Sequence, residues 1–415
     1  LDHPLRQTLA GEAHARPTVP VPSRALVLHE ARLHEGPDGA AEARAYAEEL
    51  AARAGAPAPR RDVDHAFLTL DGGMLKWERH GEFSTWTSVR EGLADAGAAV
   101  QPPPCLLNAP GKRFVAAAVF VSDEEPDAAA LDRALGAESP EADRAGSIIS
   151  SGLCGVWTGF RIGGDGWTRF LVHDRGLGVF RGGRVVRRLL EIETYRIAAL
   201  FAFPIAKAAR REIDALEARV GAAIADESLP EGEVLEVLIT AARAIERLAQ
   251  ETAFRFGAAR AYRTLIAQRL EEFREQRIEG LQRLQAFLDR RFAPAMDTCA
   301  STEARLETLA KRVERASGLM RTRIDLAMQQ QNAEQLKSMN ENARAQLRLQ
   351  MAVEGFSVAA ISYYAFQLIS KLIHPVADPA HAGVGAWVDA GLVVVVAVTV
   401  WGVLRGSRRA LDKDR

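Results

Sequence analysis

Cysteine is nearly absent from this chain: Cys105, Cys154 and Cys299 are the only three in 415 residues. They form no C-x-x-C pair, so neither a zinc knuckle nor a local dithiol motif is expected, and a reducing compartment suits the chain. Net charge is missing too. The 53 basic and 54 acidic residues leave a formal charge of −1, which removes the global basic field that a nucleic-acid partner would require. Arg181, Arg184, Arg187 and Arg188 are a local basic cluster, read as the solvated face of a helix. A phosphate-binding loop is lacking, because Gly163-Gly164-Asp165-Gly166 has no Gly-Lys-Ser/Thr ending and opens no helix. No G-x-S-x-G elbow occurs, and Ser150-Ser151-Gly152 alone implies no nucleophile. Nothing here demands an enzyme or a cofactor. The first residues, Leu1-Asp2-His3-Pro4, show no basic region followed by an apolar core, the pattern of a secretory signal.

What the chain does have is two long apolar segments near its end, Val353–Ile373 and Val384–Leu404. Each reaches the roughly 20 residues that cross a hydrocarbon core about 30 Å thick. The short connection, residues 374–383, forces the second to return antiparallel to the first, since irregular backbone stays unsatisfied in lipid. A transmembrane hairpin is therefore expected, the run Gly391–Val400 being apolar on every helical face. Arg344 and Arg348 precede it, and Arg405, Arg408, Arg409, Lys413 and Arg415 follow. The positive-inside bias then puts both termini in the cytoplasm, with 374–383 as the extracytoplasmic loop and 405–415 as a basic cytoplasmic tail.

Upstream, period-two alternation and turn residues predict strands at Ala25–Leu33, His65–Leu70, Met74–His80, Phe83–Val89 and Phe114–Val121, and a second β region covering Ser147–Ile162 and Trp167–His173. Helices are expected at Asp38–Ala54 and Pro126–Leu135. Residues 1–180 thus read as a mixed α/β domain. After Gly182-Gly183 the period changes to about 3.6, and helix dominates residues 181–294, with Glu233–Phe292 expected as one long helix. A stalk helix over 295–352 would run on into the first span, 353–373, and the second span covers 384–404. The expected fold class is α+β, followed by long stalk helices and a C-terminal two-helix hairpin. Leu306, Leu309, Val313, Ala316 and Met320 make a helix–helix seam. Residues 329–346 are polar all round, which suits a solvated stalk or a water-filled lumen lined by Gln331 and Asn332.

Three groups of residues carry candidate chemistry. In Lys76–Glu82 a strand would place Lys76, Glu78 and His80 on one face and Trp77 and Arg79 on the other. Glu78 and His80 suit a cation, and Arg79 an anion, with His14 and Arg16 from the N-terminal stretch nearby; cross-strand charge pairing on an exposed face is the plainer reading. Tyr363, Gln367 and Ser370 recur at helical spacing as a polar stripe that would face a pore or a neighbouring helix. Glu354, Lys371 and Asp389 are the intramembrane charges, with Lys371 and Asp389 a possible pair at similar depth.

Several strings resemble the bacterial domain-of-unknown-function 3422 family, described as predicted membrane-anchored proteins. They are His3-Pro4-Leu5-Arg6, His14-Ala15-Arg16-Pro17, KWERHGEFSTWT at Lys76–Thr87, RLLEIETYR at Arg188–Arg196 and VEGFSVAAISYY at Val353–Tyr364. The architecture separately resembles CorA-type cation transporters, which join a cytoplasmic α/β domain to a stalk helix, a pore-lining first span and a returning second span, and form pentamers. Their Gly-Met-Asn signature is replaced here by Ile373-His374-Pro375-Val376-Ala377-Asp378, so no filter residue carries over. The expectation is an oligomeric inner-membrane protein, a pentamer as the first guess, passing an ion along the first span. The alternative is a membrane-anchored ligand sensor or scaffold without transport. A divalent cation is the one bound group left open.

Overall fold

The computed structural model describes residues 18–60, 63–70, 72–92, 94–135, 144–373, 391 and 393–402, together with His3 and Arg6. The chain divides into two compact units, Leu1–Gly318 and Leu319–Arg415.

The first unit is built on a nine-stranded sheet. Its strands are β1 (Ala25–Leu33), β2 (His65–Leu70), β3 (Gly73–Arg79), β4 (Phe83–Glu91), β5 (Lys112–Ser122), β6 (Ala145–Ile149), β7 (Cys154–Ile162), β8 (Thr168–Asp174) and β9 (Gln276–Arg277). Their order across the sheet is β2-β3-β4-β1-β5-β8-β7-β6-β9. Neighbours pair antiparallel except β5 and β8, which run parallel. The helices are α1 (Gly39–Arg53), α2 (Pro104–Leu107), α3 (Ala128–Leu135), α4 (Val179–Leu200), α5 (Ala202–Ala225), α6 (Glu231–Phe273), α7 (Leu284–Arg291) and α8 (Ala293–Ile373).

Both faces of the sheet are apolar, and each is covered. On one face Leu28, Leu75, Trp77, Trp86, Ala118 and Trp167 pack against α1, α2 and α3. Trp77 and Trp86 sit directly opposite each other on β3 and β4, with ring centroids 6.1 Å apart. On the other face Val27, Val89, Val119, Val156 and Phe170 meet α4, α6, α7 and the start of α8. Two helical layers around one sheet satisfy the requirement that each apolar face be buried against another element. Salt bridges supplement the helical layer: Arg305 of α8 reaches Asp214 at 2.8 Å and Glu217 at 2.5 Å on α5.

Two expectations about helix boundaries need correction. Glu233–Phe292 is not one helix, because Arg274 turns left-handed (φ 50°) after Phe273 and the chain then pairs Gln276–Arg277 with β6 before α7 begins. Gly182 and Gly183 do not precede a helix but lie within α4. Their role is close approach: a Cβ on Gly183 would come 2.1 Å from the Val19 carbonyl oxygen. The β region Ser147–Ile162 comprises the end of β6 and all of β7, separated by a single turn at Ser150–Gly152.

In the second unit, α8 continues to Ile373 with its large side chains exposed, and Val393–Gly402 forms a short apolar helix. Among the described residues, one helix, Ala293–Lys371, holds a stretch long and apolar enough to cross a membrane. None of that stretch is buried inside the chain. The loop 374–383 and most of the expected second span lie outside the described residues.

Candidate functional site

Sheet register assembles a polar row where the sequence pattern calls for apolar side chains. Thr87 of β4 stands opposite His29 of β1 on one side and Lys76 of β3 on the other. One row along, Thr85 stands between Ala31 and Glu78. Period-two geometry points all of these toward the face covered by α4. That helix returns Gly183, Val186, Arg187, Leu190, Glu191, Thr194 and Tyr195, spaced three and four apart and so on a single helical face. Between these two surfaces, with Val19 and Val21 at the side, lies a cavity of about 60 Å³. That is room for roughly four waters.

The floor and the roof are tied by His29. Its Nδ1 lies 2.8 Å from Thr87 Oγ1 and its Nε2 lies 3.1 Å from Thr194 Oγ1, so one hydroxyl donates and the other accepts according to the ring tautomer. Burial, followed by the nearby His80, lowers the His29 pKa to about 3. The imidazole is therefore neutral at ordinary pH, which suits a ring held between two hydroxyls.

Charge enters the cavity in pairs. Lys76 Nζ donates to Glu78 Oε2 at 2.6 Å on the floor, and both side chains are buried. On the roof Arg187 Nε donates to Glu191 Oε1 at 2.7 Å. The second oxygen of Glu191 accepts from Arg269 of α6 at 2.5 Å, and Arg269 also reaches Glu272 at 2.9 Å. A second link runs from the sheet to α6 beside the cavity: Glu82 accepts from Arg255 at 2.5 Å and from the Tyr262 hydroxyl at 2.8 Å. Tyr262 stacks on the lining Tyr195 with centroids 5.4 Å apart and an interplanar angle of 10°. Burial and the Glu82 carboxylate raise the Tyr262 pKa, so that its phenol stays a donor.

Of the residues singled out from the sequence, Glu78 and His80 line this cavity, and His80 also stacks on Phe83 at 4.5 Å. The face carrying Lys76 and Glu78 is buried, contrary to the exposed strand surface that charge pairing suggested, because α4 covers it. Arg79 points to the opposite face and pairs with Asp64 at 2.5 Å, so it is no part of the cavity. His14 and Arg16 lie outside the described residues. Among the described residues no group of three or more His, Cys, Asp or Glu side chains is arranged to hold a metal ion.

The candidates in the second unit are distributed along α8 and come near no cavity residue in sequence. Gln331, Asn332, Tyr363, Gln367 and Lys371 are exposed, while Ser370 and Glu354 are half-buried. Gln367 Nε2 donates to Tyr363 Oη at 2.8 Å, which joins two members of the polar stripe. Gln350 Nε2 lies 3.4 Å from Glu354 Oε1. Asp389 lies outside the described residues.

Sequence reasoning missed His29, Thr194, Glu191 and Tyr262. A signal was present for three of them. In ALVLHEARL the histidine occupies the same face as Val27 and Ala31, a core position, and in RLLEIETYR Glu191 and Thr194 interrupt the face that carries Val186 and Leu190. Tyr262 had none, because its partner Glu82 is 180 residues distant.

A family model described as "Protein of unknown function (DUF3422)" matches residues 1–411. No curated protein and no solved structure matches the chain.

Proposed function

The chain belongs to the DUF3422 family of proteins of unknown function, and we propose that it is a membrane-anchored ligand-binding protein whose receptor site is the cavity under α4. The observation that carries this reading is the space itself, walled by two buried or half-buried salt bridges and a neutral histidine. Burying ion pairs is often no more stabilising than packing apolar side chains of the same volume, and an unfilled cavity adds a further cost. A domain with only structural needs would fill the space with Val or Leu. Ligand binding offsets that cost, by about 2.7 kcal/mol at a concentration a hundred times Kd. Binding without turnover is the proposed role.

In this reading the segments 353–373 and 384–404 form the anchoring hairpin in a bacterial inner membrane, with both termini cytoplasmic. Its support is the apolar stretch of α8, unburied within the chain, and the basic residues on either side of the pair. Self-association is part of the proposal, since a helix so exposed gains from packing against copies of itself in lipid.

The test is thermal unfolding of the full chain in nanodiscs across a library of small polar solutes. Stabilisation by one solute class, lost when Val27→Leu and Val186→Leu extend apolar side chains into the cavity, supports a receptor site. If no solute stabilises the chain while the two substitutions raise its Tm, the cavity is a packing defect and the reading fails.

A second reading is CorA-like ion transport, favoured by one observation. Helix α8 is unbroken from Ala293 to Ile373 and carries the Tyr363–Gln367 pair within its apolar part. A pentamer whose first spans surround a pore is the arrangement to test, by cation flux into liposomes. A well-folded oligomer that passes no common cation rejects it.

A further inference from the structure

We infer that the ligand of the α4 cavity is a small zwitterion of the α-amino-acid class, an inference that rests on the receptor reading above. The argument is one of sign and size. The formal charges of the lining residues cancel, Lys76 and Arg187 against Glu78 and Glu191. More important is their spacing. On the floor the ammonium and carboxylate are 2.6 Å apart, and on the roof the guanidinium and carboxylate are 2.7 Å apart.

An anion drawn to Lys76 or Arg187 therefore meets Glu78 or Glu191 at nearly the same distance, and a cation meets the reverse. In a partly desolvated space neither can gain much from one member of a pair without repulsion from the other. A neutral polyol finds hydroxyl partners in Thr85 and Thr87 but draws nothing from the charges. A molecule carrying both signs two bonds apart inserts beside a salt bridge with its carboxylate toward the cation and its ammonium toward the anion. Charge-assisted hydrogen bonds of this kind are roughly twice as strong as neutral ones. The volume of about 60 Å³ suits an occupant of a few heavy atoms, and the apolar wall of Val27, Val89 and Leu190 admits a short aliphatic side chain.

Four small probes separate these cases: L-alanine, propionate, ethylamine and glycerol, titrated calorimetrically into the full chain in nanodiscs. The expected result is binding of L-alanine at least tenfold tighter than that of the other three, and a further loss of tenfold or more in both Glu78→Gln and Arg187→Gln. The comparison among probes is made on the unsubstituted chain, so it holds even if a variant fails to fold. Propionate, ethylamine or glycerol binding as tightly as L-alanine overturns the zwitterion class while leaving the receptor site standing. Silence from all four overturns the class as well, and the broader solute screen then decides the receptor reading separately.

Discussion

Helix α8 carries leucine and valine at helical spacing on both sides of Gly318, yet the two stretches meet different fates. Leu309 and Val313 are each 2% exposed, packed within the first unit, while Leu336 is 65% exposed and Leu347 58%. Neither stretch contains a proline after Pro294 in the first turn of the helix. The difference is what lies alongside. Upstream of Gly318 the chain supplies its own cover, with α5 giving carboxylates to Arg305 and α6 giving Arg263 to Asp297 at 2.7 Å. Downstream, side chains of the same kind stay exposed among the described residues. An isolated helix in water gains little from propensity alone, and most helical stability comes from a packed face. The first unit thus buries its own apolar side chains, whereas the described part of the second leaves them exposed, as the proposed membrane anchor would.

The largest expected effect follows directly. A chain of residues 1–318 should unfold cooperatively in water, whereas residues 319–415 should be aggregated or unstructured until detergent or liposomes are added. Circular dichroism of the two pieces checks this, and a stably helical 319–415 monomer in buffer would break the comparison.

Single substitutions sharpen it. Trp77→Ala removes a fully buried ring from the α1 side of the sheet and should cost about 3–5 kcal/mol. In the same chemical-denaturation experiment Leu336→Ala should stay within about 0.5 kcal/mol. Equal effects would mean that the second unit packs within the chain after all.

The two units should also differ in their response to acid. With the His29 pKa lowered to about 3 in the fold and near 6.5 when unfolded, the unfolded chain binds the extra proton between those values. Stability is then complete above about pH 6.5 and declines as pH falls toward 3, by on the order of a few kcal/mol. His29→Gln should lower the stability at pH 7 yet flatten this decline for the first unit. An unchanged slope would show that the buried imidazole is not what titrates.

A smaller effect than that of acid concerns the proposed membrane pair. If Asp389 and Lys371 meet between helices in lipid, the double substitution Asp389→Asn with Lys371→Gln should show a coupling of about 1 kcal/mol in oligomer stability. Additive changes would reject the pairing and leave Asp389 as an incidental interfacial group.

How much of this was legible in the sequence depends on whether a feature is local. The bounds of β1 and β2 could be read from alternation and turn residues alone, since both faces of each strand meet a defined environment. The end of α6 at Phe273 could not, because Arg274 takes a left-handed conformation that arginine does not advertise and tertiary pairing of Gln276–Arg277 with β6 enforces. Gly182-Gly183 read as a boundary because glycine disfavours helix, but proximity to the Val19 carbonyl decides the matter. The site was half legible. Lys76, Glu78 and His80 stood out as a polar cluster, yet their burial depended on α4, over a hundred residues later, and the signal for His29 was no more than one polar residue on the core face of its strand.

The most direct measurement is flotation of the full chain and of residues 1–318 with inner-membrane-like liposomes at alkaline pH, which strips peripheral proteins. The full chain should float with the vesicles and the 1–318 fragment should remain in the aqueous fraction, folded. Recovery of both in the aqueous fraction would contradict the proposed division into a self-covered domain and a membrane-covered anchor.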